Sequence, residues 1–201
     1  LTFGDTNHYN PVALRPKMKD YTVFIDGISK AFAATGVRVG WSMGPEELMV
    51  KMRSLNSHIG SWAPMAEQHA VARFLRDDTQ VQDYLTYFKS EVEFRLRKIY
   101  EGFQQLKNEG FSVDAIVPQA AIYLTVQINL VGKKTAAGNI LKEQPDVTAY
   151  LLSEAKLALV PFSAFGAGKD SNWYRISVGC CKKEEIETMF GKLREALVKL
   201  S

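Results

Sequence analysis

The longest regular pattern in the chain runs from Val81 to Lys107, where Val81, Tyr84, Leu85, Phe88, Val92, Leu96, Ile99, Phe103 and Leu106 recur mostly at steps of three and four. The spacing predicts one apolar stripe on a helix of about seven turns at ~3.6 residues per turn, ended by Gly110. Such a helix is either a spine joining two domains or a plain packing helix, and periodicity alone does not separate the two. Ahead of it, residues 1–20 are rich in turn formers (Gly4, Asp5, Asn7, Asn10, Pro11, Pro16) and predict loop. Tyr21–Asp26 and Val37–Met43 predict two short strands of β-branched and aromatic residues. Gly44-Pro45 breaks the second, and a helix starts at Glu46 with Leu48, Met49 and Met52. Pro64 opens another through Ala66, Ala70, Val71, Phe74 and Leu75.

Beyond the long helix the texture changes. Residues 111–117, 121–128, 156–160 and 174–178 predict short strands, 147–157 a helix, and 184–200 an amphipathic helix with Ile186, Met189, Phe190, Leu193, Leu197 and Leu200 on one face. Strands with helices on one side predict a compact α+β unit. The polar, small-residue stretch 132–145 predicts a mobile loop. The pattern therefore divides the chain into 1–80, a connecting helix at 81–108, and a C-terminal α+β domain at 109–201.

Composition narrows the function classes. Hydrophobic residues make up 46% of the 201 and charged ones 23%, enough for a real core. A net charge of +3 without a basic block gives no reason to expect nucleic acid. No apolar run reaches the roughly 18–20 residues of a membrane span, and no secretory leader is visible. Cys180 and Cys181 are adjacent and are expected to be reduced, which suits the cytoplasm. His8, His58 and His69 are scattered without metal-ligand spacing, so no metal is expected.

The chemistry concentrates in Gly27-Ile28-Ser29-Lys30-Ala31-Phe32-Ala33-Ala34-Thr35-Gly36-Val37-Arg38-Val39-Gly40. A lysine just past a strand's end lies where open α/β sheets usually place ligands. Its amine, once neutral, can condense with an aldehyde cofactor. Arg38 offers a planar fork matched to phosphate oxygens. Ser29 and Thr35 could add hydroxyl donors, and Gly27, Gly36 and Gly40 allow close backbone approach.

That run resembles the lysine signature of the class I/II aminotransferases, which use pyridoxal 5'-phosphate (PLP). The resemblance continues through Trp41-Ser42-Met43-Gly44-Pro45-Glu46-Glu47-Leu48, Ser61-Trp62-Ala63-Pro64-Met65-Ala66-Glu67-Gln68, Pro118-Gln119-Ala120-Ala121-Ile122-Tyr123-Leu124, Val160-Pro161-Phe162-Ser163-Ala164-Phe165-Gly166 and Tyr174-Arg175-Ile176-Ser177. It implies an α/β fold of fold type I, of which this chain resembles the C-terminal half: the end of the large PLP domain plus the complete small α+β domain. It implies Lys30 as the catalytic, cofactor-binding lysine, Arg38 and Ser29 at the cofactor, and Arg175 on the substrate's α-carboxylate. It also implies amino-acid and 2-oxo-acid substrates, an aspartate-like or broad specificity, and a homodimer as parent.

The sequence departs from the family pattern at three positions. Gly27 stands where many relatives carry a serine for the phosphate, Phe162 where a glycine is common, and Ala121 near a family glycine. The Asp that pairs with the pyridine nitrogen, and the Tyr that follows it, fall further upstream than this chain extends; Asp5 and Tyr9 are too close to Lys30 to replace them. The fragment is accordingly expected to be catalytically incomplete, with 111–201 able to fold and 1–80 poorly stable or remodelled. Two other readings stay open: another PLP reaction, such as a β-lyase or a synthase, and an aminotransferase-like effector domain of a transcription regulator.

Overall fold

A computed structural model describes residues 1–201. The chain divides into two compact units, Leu1–Ser90 and Glu91–Ser201, and the division falls inside the long helix. No helix is long and apolar enough to cross a membrane.

In the first unit, a short helix α1 (Pro11–Leu14) is capped by the Asn10 side chain, which accepts from the Ala13 N–H. A 3₁₀ turn follows at Pro16–Tyr21. The segment expected to be all loop is thus partly coiled, because Pro11 and Pro16 preset φ at the first position of each turn. Strands β1 (Phe24–Gly27) and β2 (Gly40–Met43) pair antiparallel, with Asp26 opposite Trp41 and Gly27 opposite Gly40. Both are shorter than their apolar runs. Tyr21 belongs to the 3₁₀ turn, and Arg38 is left-handed (φ 59°), which keeps Val37 and Arg38 out of the ladder. Between the strands lie α2 (Ile28–Ala31) and a 3₁₀ turn at Thr35–Val37. Helices α3 (Glu46–His58) and α4 (Met65–Phe74) follow, each entered from a proline.

Only Phe3, Ile28, Val39 and Val71 are buried apolar side chains in this unit. Ile28, Val39 and Val71 form one small cluster with Phe32, Val37, Trp41 and Leu75 packed around it. Phe32, Phe74, Tyr84 and Phe88 add a chain of stacked and edge-on rings, the last two from the start of α5 (Asp78–Asn108). Tyr21, Ile25 and Trp62 are 84%, 78% and 66% exposed.

The second unit holds the other twenty-six buried apolar residues. Strands β3 (Val113–Ala115), β4 (Tyr123–Ile128), β5 (Val160–Pro161) and β6 (Trp173–Ser177) form an antiparallel sheet in the order β3-β4-β6-β5. Period-two alternation buries Leu124, Val126, Ile128, Tyr174 and Ile176, leaving Tyr123, Thr125, Trp173 and Arg175 on the opposite, partly open face. The core is completed by Leu96, Ile99, Phe103 and Leu106 of α5, by α6 (Gln144–Glu154) with Val147 and Leu151, and by α7 (Glu185–Val198) with Leu193 and Leu197. The Phe103 and Phe190 rings meet edge to face at 5.4 Å, and the Tyr150 hydroxyl donates to the Ala196 carbonyl at 2.7 Å.

Two expectations are corrected here. The stretch 132–145 is tied down rather than loose. Leu141 is buried, the Gly132 N–H donates to the Leu141 carbonyl, and Lys134 and Ser201 exchange backbone hydrogen bonds. Its end already belongs to α6, because Glu143 and Asp146 form a reciprocal capping box three residues ahead of the predicted start. The strand expected at 156–160 shrinks to Val160–Pro161. Lys156 is left-handed (φ 53°) and the Leu157 N–H returns to the Leu151 carbonyl, so α6 unwinds through those residues.

Candidate active site

Lys30 lies in α2, the single helical turn that leaves the end of β1, and its side chain is exposed. The turn is fastened at both ends. The Ile28 N–H donates to the Val39 carbonyl at 3.2 Å, the Thr35 hydroxyl to the Ser29 carbonyl at 3.1 Å, and the Tyr84 hydroxyl to the Phe32 carbonyl at 2.7 Å. Burial pushes the Tyr84 phenol up from its ordinary range, so it stays a donor at neutral pH. Arg38 sits across the loop. Its guanidinium donates to the Thr35 carbonyl at 2.8 Å, and its left-handed backbone turns the chain into β2. Ser29, Lys30 and Arg38 are therefore brought onto one loop. Thr35, expected as a free hydroxyl donor, has spent its proton inside that loop.

The two glycines at the base of the loop are required by close backbone contact. A Cβ on Gly27 would lie 3.1 Å from the Val39 oxygen and 3.2 Å from the Gly40 Cα; one on Gly40 would lie 3.0 Å from the Asp26 oxygen. A serine at position 27 would therefore have to push β2 away, which gives a physical reason for glycine there.

Arg175 belongs to the second unit, on β6, with Thr125 of β4 directly opposite and Val160 of β5 on its other side. Its guanidinium carbon lies 4.3 Å from the Tyr123 ring centroid and 4.6 Å from the Phe165 centroid. Tyr123 reaches it as the diagonal cross-strand neighbour on the same sheet face. Phe165 arrives on the 3₁₀ turn Phe162–Phe165 that follows β5. The buried Nε of Arg175 has no hydrogen-bond partner. Lys30, Arg38 and Arg175 all stand outside the ion pairs of the chain.

This donor set suits a phosphorylated aldehyde and a carboxylate. The loop offers a primary amine, a guanidinium and a hydroxyl with no acid already paired to either cation. The sheet offers a guanidinium with an orphaned buried donor, a costly state unless an anion completes it. Reasoning from the sequence did not single out Tyr123 and Phe165, although both lie in motifs it recognised; the period-two spacing of Tyr123 and Thr125 against the Tyr174-Arg175 strand was the available signal.

Comparison with known proteins agrees over nearly the whole chain. The sequence profile of the family described as aminotransferase class I and II matches residues 1–193. An aspartate aminotransferase of Rhizobium meliloti (strain 1021) is 32% identical over 190 residues, covering 94% of this chain and 44% of that protein. One from Geobacillus stearothermophilus is 34% identical over 168 residues, covering 83% and 40%. Among solved structures, the aspartate aminotransferase from Rhizobium meliloti superposes with a TM-score of 0.81 at 28% identity, covering all of this chain and 48% of that one. The aromatic aminotransferase from Pyrococcus horikoshii OT3 gives 0.82 at 23% identity and shows likeness of fold, with 98% and 48% covered. The chain spans about half the length of the relatives it matches.

Proposed function

The chain belongs to the class I and II aminotransferase family, and from that premise we propose that the protein is a PLP-dependent aminotransferase acting on an L-amino acid and a 2-oxo acid. The observation that carries the proposal is one loop presenting an amine and a phosphate-matching guanidinium, neither of them ion-paired, at a strand's end. Lys30 would hold the cofactor through its aldehyde carbon, and Arg38, with Ser29 beside the lysine, would hold its phosphate. When bound, PLP supplies the electron sink that makes the substrate's α-carbon acidic and carries the amino group between the two substrates. The Lys30 Nζ, once released, acts as the general base that takes the proton from that α-carbon. Arg175 pairs with the substrate's α-carboxylate through its planar fork.

The relatives are named aspartate or aspartate/prephenate aminotransferase, which favours transamination over lyase, synthase or regulator readings. A homodimeric parent in the cytoplasm belongs to the same proposal, and the free thiols of Cys180 and Cys181 suit a reducing compartment. The test is PLP titration, borohydride reduction and peptide mapping. Label concentrated on Lys30, with weaker binding in Arg38→Ala, is the expected result. Label spread over surface lysines would remove the loop from the cofactor assignment.

A further inference from the structure

Resting on that assignment of Arg175 to a carboxylate, we infer that Tyr123 and Phe165 are positioning residues, a two-ring clamp that holds the guanidinium plane so that its free fork is presented to one planar carboxylate. An arginine side chain loses much rotamer freedom when it is held in place, and a lone surface arginine bears that cost on every capture. Here the plane is fixed beforehand. The Tyr123 ring and the Phe165 ring lie 4.3 and 4.6 Å from the guanidinium carbon. Neither ring accepts a conventional hydrogen bond, so stacking fixes the plane without consuming its donors. The Nε is buried and unpartnered, which leaves the Nε–Nη side of the fork in need of an acceptor.

The clamp is itself supported. Phe165 is 55% exposed and would swing freely if its turn were loose. The turn is closed by hydrogen bonds from the Gly166 N–H to the Ser163 carbonyl and from the Ala167 N–H to the Phe162 carbonyl. Gln144, the buried polar residue of the chain, accepts from the Ser163 hydroxyl and donates to the Ser171 carbonyl. That joins the start of α6, the Phe165 turn and the approach to β6. Phe162 meets Phe165 edge-on at 6.2 Å and backs the clamp ring. Every one of these residues lies in Glu91–Ser201.

The experiment follows the Arg175 Nε–H resonance of the nitrogen-15-labelled 201-residue chain during titration with acetate. The native chain should show a saturable shift and slow rotation about the Nε–Cζ bond. Phe165→Ala and Tyr123→Ala should each weaken acetate binding roughly two- to thirty-fold, the range a cation–π contact spans from exposed to desolvated settings, and speed that rotation. Tyr123→Phe, which keeps the ring, should bind as the native chain does. Because Phe165 is largely exposed, its variant should melt at the native temperature, which separates positioning from folding. A saturable response left unchanged in both alanine variants removes the clamp and leaves the carboxylate assignment standing. No saturable response in the native chain removes the carboxylate assignment and the clamp together.

Discussion

Alanine at Gly40 and alanine at Gly36 should act on the lysine loop with opposite signs. At Gly40 an added Cβ would sit 3.0 Å from the Asp26 carbonyl oxygen, a backbone atom of the paired strand that cannot rotate away. At Gly36 an added Cβ would meet nothing within 4 Å. Overpacking of this kind costs typically ~1–3 kcal/mol, while replacing glycine by alanine returns about 0.4–1 kcal/mol through the less disordered unfolded chain. At the middle of these ranges the balance at Gly40 is a loss of about 1.3 kcal/mol, and at Gly36 the gain of about 0.4–1 kcal/mol stands alone. Native-state hydrogen exchange at the Ile28 amide, which donates to the Val39 carbonyl across the base of the loop, reads this directly. Gly40→Ala should exchange roughly two- to thirty-fold faster and Gly36→Ala roughly two- to five-fold slower, at 1.4 kcal/mol per tenfold. PLP trapping on Lys30 should weaken in the first variant and persist in the second. Exchange in Gly40→Ala as slow as in the native chain would refute the close packing of β1 on β2 that this account of the loop requires.

Limited proteolysis of the 201-residue chain should cut within Leu1–Ser90 first, since four of its apolar side chains are buried against twenty-six in the second unit; uniform resistance would contradict this. Gly102→Ala should destabilise the second unit, since its Cβ would fall 2.3 Å from the Phe190 ring; exchange at the α7 amides checks it, and Phe190→Leu in the same chain should restore part of the loss. Ala121 is held at φ 66°, so Ala121→Gly should raise urea stability by about 0.5–1 kcal/mol, and a lower midpoint would contradict the left-handed assignment. Hydrogen bonds from Lys107 and Gln104 hold the Asp114 carboxyl below the usual range, so its contribution is complete above the ordinary aspartate pKa and is lost as pH falls through the depressed value. Asp114→Asn should therefore be less stable at neutral pH and converge with the native chain in acid, read from urea midpoints against pH.

The elements most legible in the sequence were those whose pattern and burial coincide. The long stripe gave α5 nearly to its ends, because Leu96, Ile99, Phe103 and Leu106 are all fully buried. Glu46 and Pro64 marked the starts of α3 and α4 because helix entry is governed by local backbone chemistry. Errors gathered where tertiary hydrogen bonds overrule local composition. The polar stretch at 132–145 was legible as loop, yet its anchoring by Ser201 depends on a residue far along the chain. Lys30, Ser29 and Arg38 could be grouped from the sequence because they share one short loop, and the structure keeps them on it. Arg175 was singled out from its flanking residues, but the rings over it come from residues 123 and 165, a pairing that only the cross-strand spacing of Tyr123 hinted at.

The two cation sites differ in what holds them in shape. Arg175 rides on a strand whose alternate residues, Tyr174 and Ile176, are buried in the larger core. Its position is thus set by apolar burial worth about 25 cal/mol per Å². Lys30 rides on a single helical turn above a cluster of three buried residues, and its loop is held by a few hydrogen bonds worth about 0.5–1.5 kcal/mol each. A ligand that binds only the ordered loop stabilises it by mass action, by about 2.7 kcal/mol at a hundred times its dissociation constant. That is comparable to the whole hydrogen-bonded fastening of the turn. If the proposed roles hold, cofactor capture is coupled to ordering of the first unit, whereas carboxylate capture at Arg175 draws on a geometry already fixed by its core. On the proposed roles, the amine sits where the chain is easiest to order or disorder, and the substrate-facing guanidinium sits where it is hardest.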